Sequence, residues 1–96
     1  MTGRFNHVDG KKSGSIRLYA LSTCGWCRKT RELLDSLGVA YDYVYVDLLD
    51  GKPYEEVQDE IERLNPSGSL PIVCVGKKDV IIGFNEEKIR KTLGEK

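Results

Sequence analysis

The sequence predicts an α/β fold in which one four-stranded mixed sheet is flanked by helices on both faces. Runs rich in β-branched and aromatic residues alternate with stretches whose apolar residues recur at helical spacing, in the order β-α-β-α-β-β-α. The first two strands are separated by a helix of crossover length, which makes them parallel. The last two are separated by a turn-like tetrapeptide, which makes them antiparallel. With 96 residues, 40% hydrophobic and 31% charged, the chain has the size and apolar content of one small domain.

Residues 1–15 are polar, carry Gly3, Gly10 and Gly14 beside Lys11 and Lys12, and show neither helical nor strand periodicity. They are expected to form a flexible arm ahead of a domain spanning 16–96. His7, the single histidine, falls in that arm and is expected to be inert. Residues 16–21 (IRLYAL) form the first strand, and Ser22 and Thr23 suit the N-cap of the next helix. In that helix Thr30, Leu33, Leu34 and Leu37 fall at i, i+3, i+4 and i+7. Arg28, Lys29, Arg31, Glu32 and Asp35 take the other faces, and Gly38 closes the C-terminus. Residues 41–46 (YDYVYV) form the second strand. Its alternating Tyr41, Tyr43 and Tyr45 share one face, where packing against a helix accounts for them. Pro53 sits in the first turn of a second helix, Tyr54, Val57, Ile61 and Leu64 make its apolar stripe, and Asn65-Pro66 stops it. Residues 71–75 (PIVCV) and 80–83 (VIIG) flank the turn 76–79 (GKKD) as a hairpin. Asn85 caps a last helix that buries Ile89 and Leu93 and ends at Gly94.

Fifteen basic and fifteen acidic side chains give a formal net charge of zero, without the positive field that nucleic-acid binding needs. No stretch reaches the roughly 18–20 apolar residues that cross a bilayer, and the N-terminal segment has no apolar signal region, so neither nucleic acid nor membrane is an expected partner and the expected location is the cytoplasm. Three cysteines are an odd number and too few for a disulfide-stapled scaffold. Two of them, Cys24 and Cys27, form a C-x-x-C at the strand-to-helix junction.

Disulfide exchange needs a reachable thiolate. Cys24 lies where unpaired helix N–H groups and the positive end of the helix dipole favour an anion, with Arg28, Lys29 and Arg31 adding positive charge. Its pKa is expected below the free value. Cys27 returns to the same side of the helix one turn deeper and is the candidate resolving thiol. Gly25 lets a partner approach the backbone, and Trp26 presents a large flat face. A structural zinc site needs four ligands, and beyond this pair the chain offers only Cys74 and the remote His7, so no metal is expected. Cys74 reads as a small buried hydrophobe, and Asp47 to Asp50 (DLLD) do not fill a hard-cation shell.

The run Tyr19-Ala20-Leu21-Ser22-Thr23-Cys24-Gly25-Trp26-Cys27-Arg28-Lys29 resembles a glutaredoxin active site. Ser69-Leu70-Pro71 resembles the family's segment before its cis-proline, and Ile82-Gly83-Phe84-Asn85-Glu86-Glu87-Lys88-Ile89 its C-terminal glycine-containing motif. The three occur in the family's order on a thioredoxin-like arrangement of elements, between Ile16 and Leu93. The resemblance implies that Pro71 is cis and packs against the thiol pair. It also implies that the Leu70 backbone pairs with an extended thiol such as glutathione, and that Gly83, Phe84 and Asn85 hold its far carboxylate. Many glutathione-using members carry a lysine where this chain has Leu21. The Gly83-Phe84 pair is also similar to the thioredoxin-reductase-dependent members that serve ribonucleotide reductase. Gly25 stands where a proline is common, as in members that hold a [2Fe–2S] cluster between two subunits.

The expectation is a monomeric dithiol oxidoreductase, with catalytic Cys24 and Cys27 and with Gly25, Trp26, Leu70, Pro71, Gly83, Phe84 and Asn85 binding substrate. It reduces protein or glutathione mixed disulfides with no tightly bound cofactor. Its electrons come from glutathione, another low-molecular-weight thiol or a thioredoxin-reductase-type donor, and ribonucleotide reductase is a candidate target. A cluster-carrying protein is the alternative.

Overall fold

In a computed structural model, which describes residues 5–12, 14–76 and 79–93, the elements are β1 (Asn6–Val8), β2 (Ile16–Ala20), α1 (Gly25–Leu37), β3 (Tyr41–Tyr45), α2 (Gly51–Leu64), β4 (Ile72–Val75), β5 (Asp79–Ile82) and α3 (Glu86–Thr92). A single 3-10 turn, Val46–Leu48, joins β3 to the loop before α2. The sheet runs β1-β3-β2-β4-β5. As the crossover length requires, β2 and β3 are parallel; β4 is antiparallel to both β2 and β5. The Gly76 end of the hairpin turn is described, while residues 77–78 and Gly94 lie outside the described residues.

Strand periodicity sorts the apolar side chains onto two faces. Ile16, Leu18 and Ala20 join Cys27, Leu33 and Leu34 of α1 and Ile89 of α3 on one face. Tyr19, Val44, Ile72 and Cys74 join Val57 and Ile61 of α2 on the other. Each fully buried aliphatic side chain of this kind contributes about 1.5–3 kcal/mol. The tyrosine face of β3 packs as expected, with Tyr41 buried and Tyr43 and Tyr45 half-buried beside α1.

The sheet has five strands rather than four, and the extra one comes from the segment expected to be a flexible arm. Asn6, His7 and Val8 pair antiparallel with Tyr43, Asp42 and Tyr41. A three-residue strand with two exposed positions has no period for a sequence reading to detect; its backbone ladder to β3 defines it. The chain then crosses the end of α1: Lys11 donates its N–H to Gly38 O (2.7 Å) and accepts that of Ala40 (2.8 Å). Gly10 permits this crossing, because a Cβ there would stand 2.7 Å from Gly38 O and the Val39 carbonyl carbon.

His7 is not inert. Its Nδ1 lies 2.7 Å from Asp42 Oδ1 and its Nε2 3.0 Å from Asp9 Oδ1, and the hydrogen bond to Asp42 raises its pKa above the ordinary 6.5. A histidine more basic in the folded than in the unfolded chain adds stability at pH values below the unfolded pKa, and that stability fades as pH rises through the folded one. His7→Gln is therefore expected to lower the urea midpoint near pH 6 and to match the wild type at alkaline pH. Equal midpoints near pH 6 would show that the two aspartates do not fasten β1 through His7.

Candidate active site

The site forms where β2 ends and α1 begins. Ser22 and Thr23 were the expected caps, but the N-cap is Cys24: its backbone is extended (φ −95°, ψ 123°), and its Sγ accepts the Cys27 N–H at 3.2 Å. The sulfur satisfies one of the unpaired N–H groups of the first turn. Cys24 is half-buried and Cys27 is 1% exposed; both thiols are free. The Cys27 Sγ accepts the Leu21 N–H at 3.3 Å.

The two thiols are shifted in opposite directions. Hydrogen bonding from the Cys27 side chain, then from the Cys27 and Trp26 N–H groups, draws the Cys24 pKa below its ordinary value. Burial pushes Cys27 up to about 12, and its hydrogen bond with Cys24 adds to the rise. The expected help from Arg31 is absent from this balance. Its Nε donates to the Tyr41 hydroxyl (3.0 Å) and its Nη1 to that of Tyr45 (3.1 Å), and the guanidinium lies 4.0 Å from the Tyr43 ring centroid. Arg31 thus locks α1 to β3 rather than facing Cys24. Arg28 and Lys29 are exposed.

Beside the thiols, Trp26, Leu70, Pro71, Gly83 and Phe84 line an open pocket of about 190 Å³. Trp26 is 60% exposed and stacks on Phe84, with centroids 5.8 Å apart and planes 27° apart. Its helical position is secured by buried Thr30, whose hydroxyl donates to the Trp26 carbonyl at 2.8 Å. The Leu70–Pro71 peptide is cis, in agreement with the resemblance. Gly83 takes φ +81°, which favours glycine, and its N–H meets the Pro71 carbonyl at 2.8 Å, tying the two loops together. A Cβ on Gly25 would meet open space. Asn85 lies next to Phe84, but its Oδ1 already accepts the Lys88 N–H (3.1 Å) as the cap of α3.

One contributor went unrecognised in the sequence. Asp47, in the 3-10 turn after β3, accepts both the N–H and the hydroxyl of Ser22, and no spacing rule links residues 25 apart. Cys74 is on the opposite face of the sheet from Cys27, so the sheet separates it from the pair. Among the described residues no three His, Cys, Asp or Glu side chains gather so as to hold a metal ion, and no helix there is long and apolar enough to cross a membrane.

A thioredoxin-like α/β sheet with a C-x-x-C at the start of its first crossover helix defines a class of small redox-fold proteins. Within that class, the glutaredoxin family model matches residues 16–80, and the chain belongs to the glutaredoxin family, whose members are generally thiol–disulfide oxidoreductases. It is 32% identical over 78 residues to an uncharacterized glutaredoxin-like 8.6 kDa protein of the rubredoxin operon of Clostridium pasteurianum, covering 81% of this chain and 96% of that one. The structure of a Methanosarcina mazei glutaredoxin superposes with a TM-score of 0.87 at 50% identity, over 95% of this chain and 88% of that one. Methanosarcina acetivorans methanoredoxin superposes with a TM-score of 0.85 at 44% identity, over 88% and 90%.

The cause assigned to the Cys24 shift can be checked directly. Cys27→Ala, which removes the strongest hydrogen-bond donor to the sulfur, should move the pH midpoint of Cys24 alkylation by iodoacetamide upward. Cys27→Ser, which keeps an O–H donor, should stay nearer the wild type. Identical midpoints for all three would show that the helix N-terminus alone sets the thiolate.

Proposed function

We propose that this chain is a dithiol oxidoreductase that reduces protein disulfides and mixed disulfides of a low-molecular-weight thiol. The observation that carries the reading is the asymmetry of the pair: a reachable Cys24 with a depressed pKa against a buried Cys27 with a raised one. The Cys24 thiolate attacks one sulfur of the substrate disulfide, forming a mixed disulfide and expelling the other sulfur as a thiolate. Cys27 then loses its proton and attacks the Cys24 sulfur. The second substrate thiolate leaves, the Cys24–Cys27 disulfide remains, and two electrons have passed to the substrate. An external dithiol or two monothiols restore the reduced pair.

The pocket supports the assignment of Trp26, Leu70, Pro71, Gly83 and Phe84 to substrate binding, with Gly25 leaving the approach to Cys24 open. Its walls are apolar, and Leu21, exposed beside the thiols, supplies no cation for a carboxylate. The Lys88 N–H is already taken by Asn85, and Lys29, whose Nζ stands 5.9 Å from the Trp26 ring centroid, is exposed, where an ion pair adds only about 0.2–1 kcal/mol to holding glutathione. Asn85 then acts chiefly through the backbone it orders. This favours a protein disulfide, or a thiol held by apolar contact, as substrate; ribonucleotide reductase as a target, a cytoplasmic location and a monomeric chain belong to the same proposal. A [2Fe–2S] centre requires four ligands, and one chain presents a single accessible thiol at this site, so the cluster alternative needs a second chain and external thiols.

The deciding experiment is a coupled reduction assay with glutathione or thioredoxin reductase as electron source, run on protein purified anaerobically. Cys24→Ser should abolish turnover, while Cys27→Ser should stop protein-disulfide reduction and accumulate a Cys24 mixed disulfide visible by intact mass. Full activity in Cys24→Ser, or a brown protein whose colour depends on Cys24 and which lacks reductase activity, would overturn the reading.

Glutathione turnover should improve only a few-fold in Leu21→Lys, since an exposed ion pair is worth about 0.2–1 kcal/mol. The gain should shrink as sodium chloride is raised. Efficient glutathione use by the wild type, unchanged in Leu21→Lys at low salt, would show that other groups hold the tripeptide.

A further inference from the structure

The turn between β2 and α1 touches both thiol residues, and the Asp47 carboxylate fastens it. Asp47 Oδ1 accepts the Ser22 N–H at 2.8 Å, and Oδ2 accepts the Ser22 hydroxyl at 2.5 Å. The Leu21–Ser22 peptide unit is therefore held at both ends, because its carbonyl accepts the Cys24 N–H at 3.3 Å. One peptide earlier, the Leu21 N–H donates to Cys27 Sγ at 3.3 Å. Asp47 thus sits two hydrogen bonds from one thiol residue and one peptide plane from the other's donor.

We infer that Asp47 is a positioning residue for the thiol pair: through Ser22 it fixes the β2–α1 turn that carries the Leu21 N–H to Cys27 Sγ, and it places its negative charge beside that turn, where it governs the resolving step. The inference rests on the dithiol exchange proposed above. The Ser22 hydroxyl and N–H hold the Asp47 carboxyl below its usual range, so it is charged throughout neutral pH. That charge acts on Cys27 in the same direction as burial. The other titratable group acting on Cys27 is Cys24, on its own helix. The cluster around Cys27 is apolar where β2, β4, β5 and α3 contribute to it, through Ala20, Val73, Ile81 and Ile89. Of the α1 cations, Arg31 is engaged by Tyr41 and Tyr45 and Lys29 stands over the Trp26 ring; the charged groups acting on Cys27 are Cys24 and Asp47.

A purely structural role and a charge role predict opposite effects on the resolving step. Loosening the turn slows it; removing the charge makes the Cys27 thiolate easier to form and speeds it. With dithiobis(nitrobenzoate) as probe, attack by the Cys24 thiolate forms the mixed disulfide and releases one nitrothiobenzoate. Attack by Cys27, its proton lost to solvent, then releases the second. Asp47→Asn keeps an acceptor for the Ser22 N–H and removes the charge. An exposed charge acting through solvent biases such an equilibrium by about threefold. A less basic thiolate is also a weaker nucleophile, which takes back about half of that gain. The second release should therefore be about twofold faster in Asp47→Asn at neutral pH and low salt, with the advantage shrinking at about 1 M salt.

Asp47→Glu, which keeps the charge, should match the wild type, and neutral Asp47→Gln, which keeps an amide acceptor for Ser22, should move as Asp47→Asn does, including where Asp47→Asn folds poorly. A normal first release with a second release equal to or slower than the wild type's in the neutral variants would overturn the inference. Failure of the wild type to release the first nitrothiobenzoate from Cys24 would instead overturn the exchange reading beneath it.

Discussion

The chemistry of this fold hangs on where α1 begins. A helix needs acceptors for its first N–H groups, and oxygen-bearing side chains are the usual supply. Here Ser22 and Thr23 are passed over and the sulfur of Cys24 takes the position. A thiolate is a better acceptor than a thiol, so the need of the helix for a cap and the need of the proposed exchange for a nucleophile draw on the same interaction. The geometry of the next turn follows. Starting the helix at Gly25 places Cys27 on the buried face, where the Leu21 N–H meets its sulfur, and Trp26 on the solvent face, where it lies over Phe84.

The sheet supplies the second constraint. Its two faces carry separate cores, and the thiol pair belongs to the α1/α3 side while Cys74 belongs to the α2 side. Burial raises the Cys74 pKa, so it is protonated as well as enclosed. A third thiol near an exchanging pair would offer a competing disulfide; a sheet between them removes that competition without removing the cysteine. The central position of β2, paired on both edges, keeps the start of α1 from drifting relative to the Pro71 and Gly83 loops.

Most of the fold was legible because its elements announce themselves by period and punctuation. The bounds of α1 follow from Thr30, Leu33, Leu34 and Leu37 with Gly38 behind them, and Asn85 caps α3 as its position suggests. Strand β1 was not legible, since three residues have no period and their stability comes from a ladder and from His7, both long-range. The cysteine pair and the proline and glycine loops were legible as motifs, whereas the roles of neighbouring charges were not. Arg31 occupies a polar position of the helical wheel, yet three tyrosines from β3 capture it. Asp47 sits in a stretch without any local signal, and its partner Ser22 is brought to it by the parallel pairing of β2 and β3. A helix wheel gives a residue's face; which group waits there is set by tertiary structure.

In the proposed exchange, the electrostatics that distinguishes the thiols also orders the two steps. In the reduced protein two of the influences that raise the Cys27 pKa come from Cys24, through side-chain hydrogen bonding and through the Cys24 negative charge. Both depend on Cys24 being a thiolate. Once Cys24 is tied up in a mixed disulfide it carries no charge and no longer needs a donated hydrogen bond, so these two influences vanish together, while burial and Asp47 persist. Cys27 therefore becomes more acidic when, and because, its target has formed. A resolving thiol silenced by burial alone would be equally reluctant in both states. One silenced partly by its partner is released by the first step, and the buried thiolate needs to exist only while an electrophilic sulfur stands beside it.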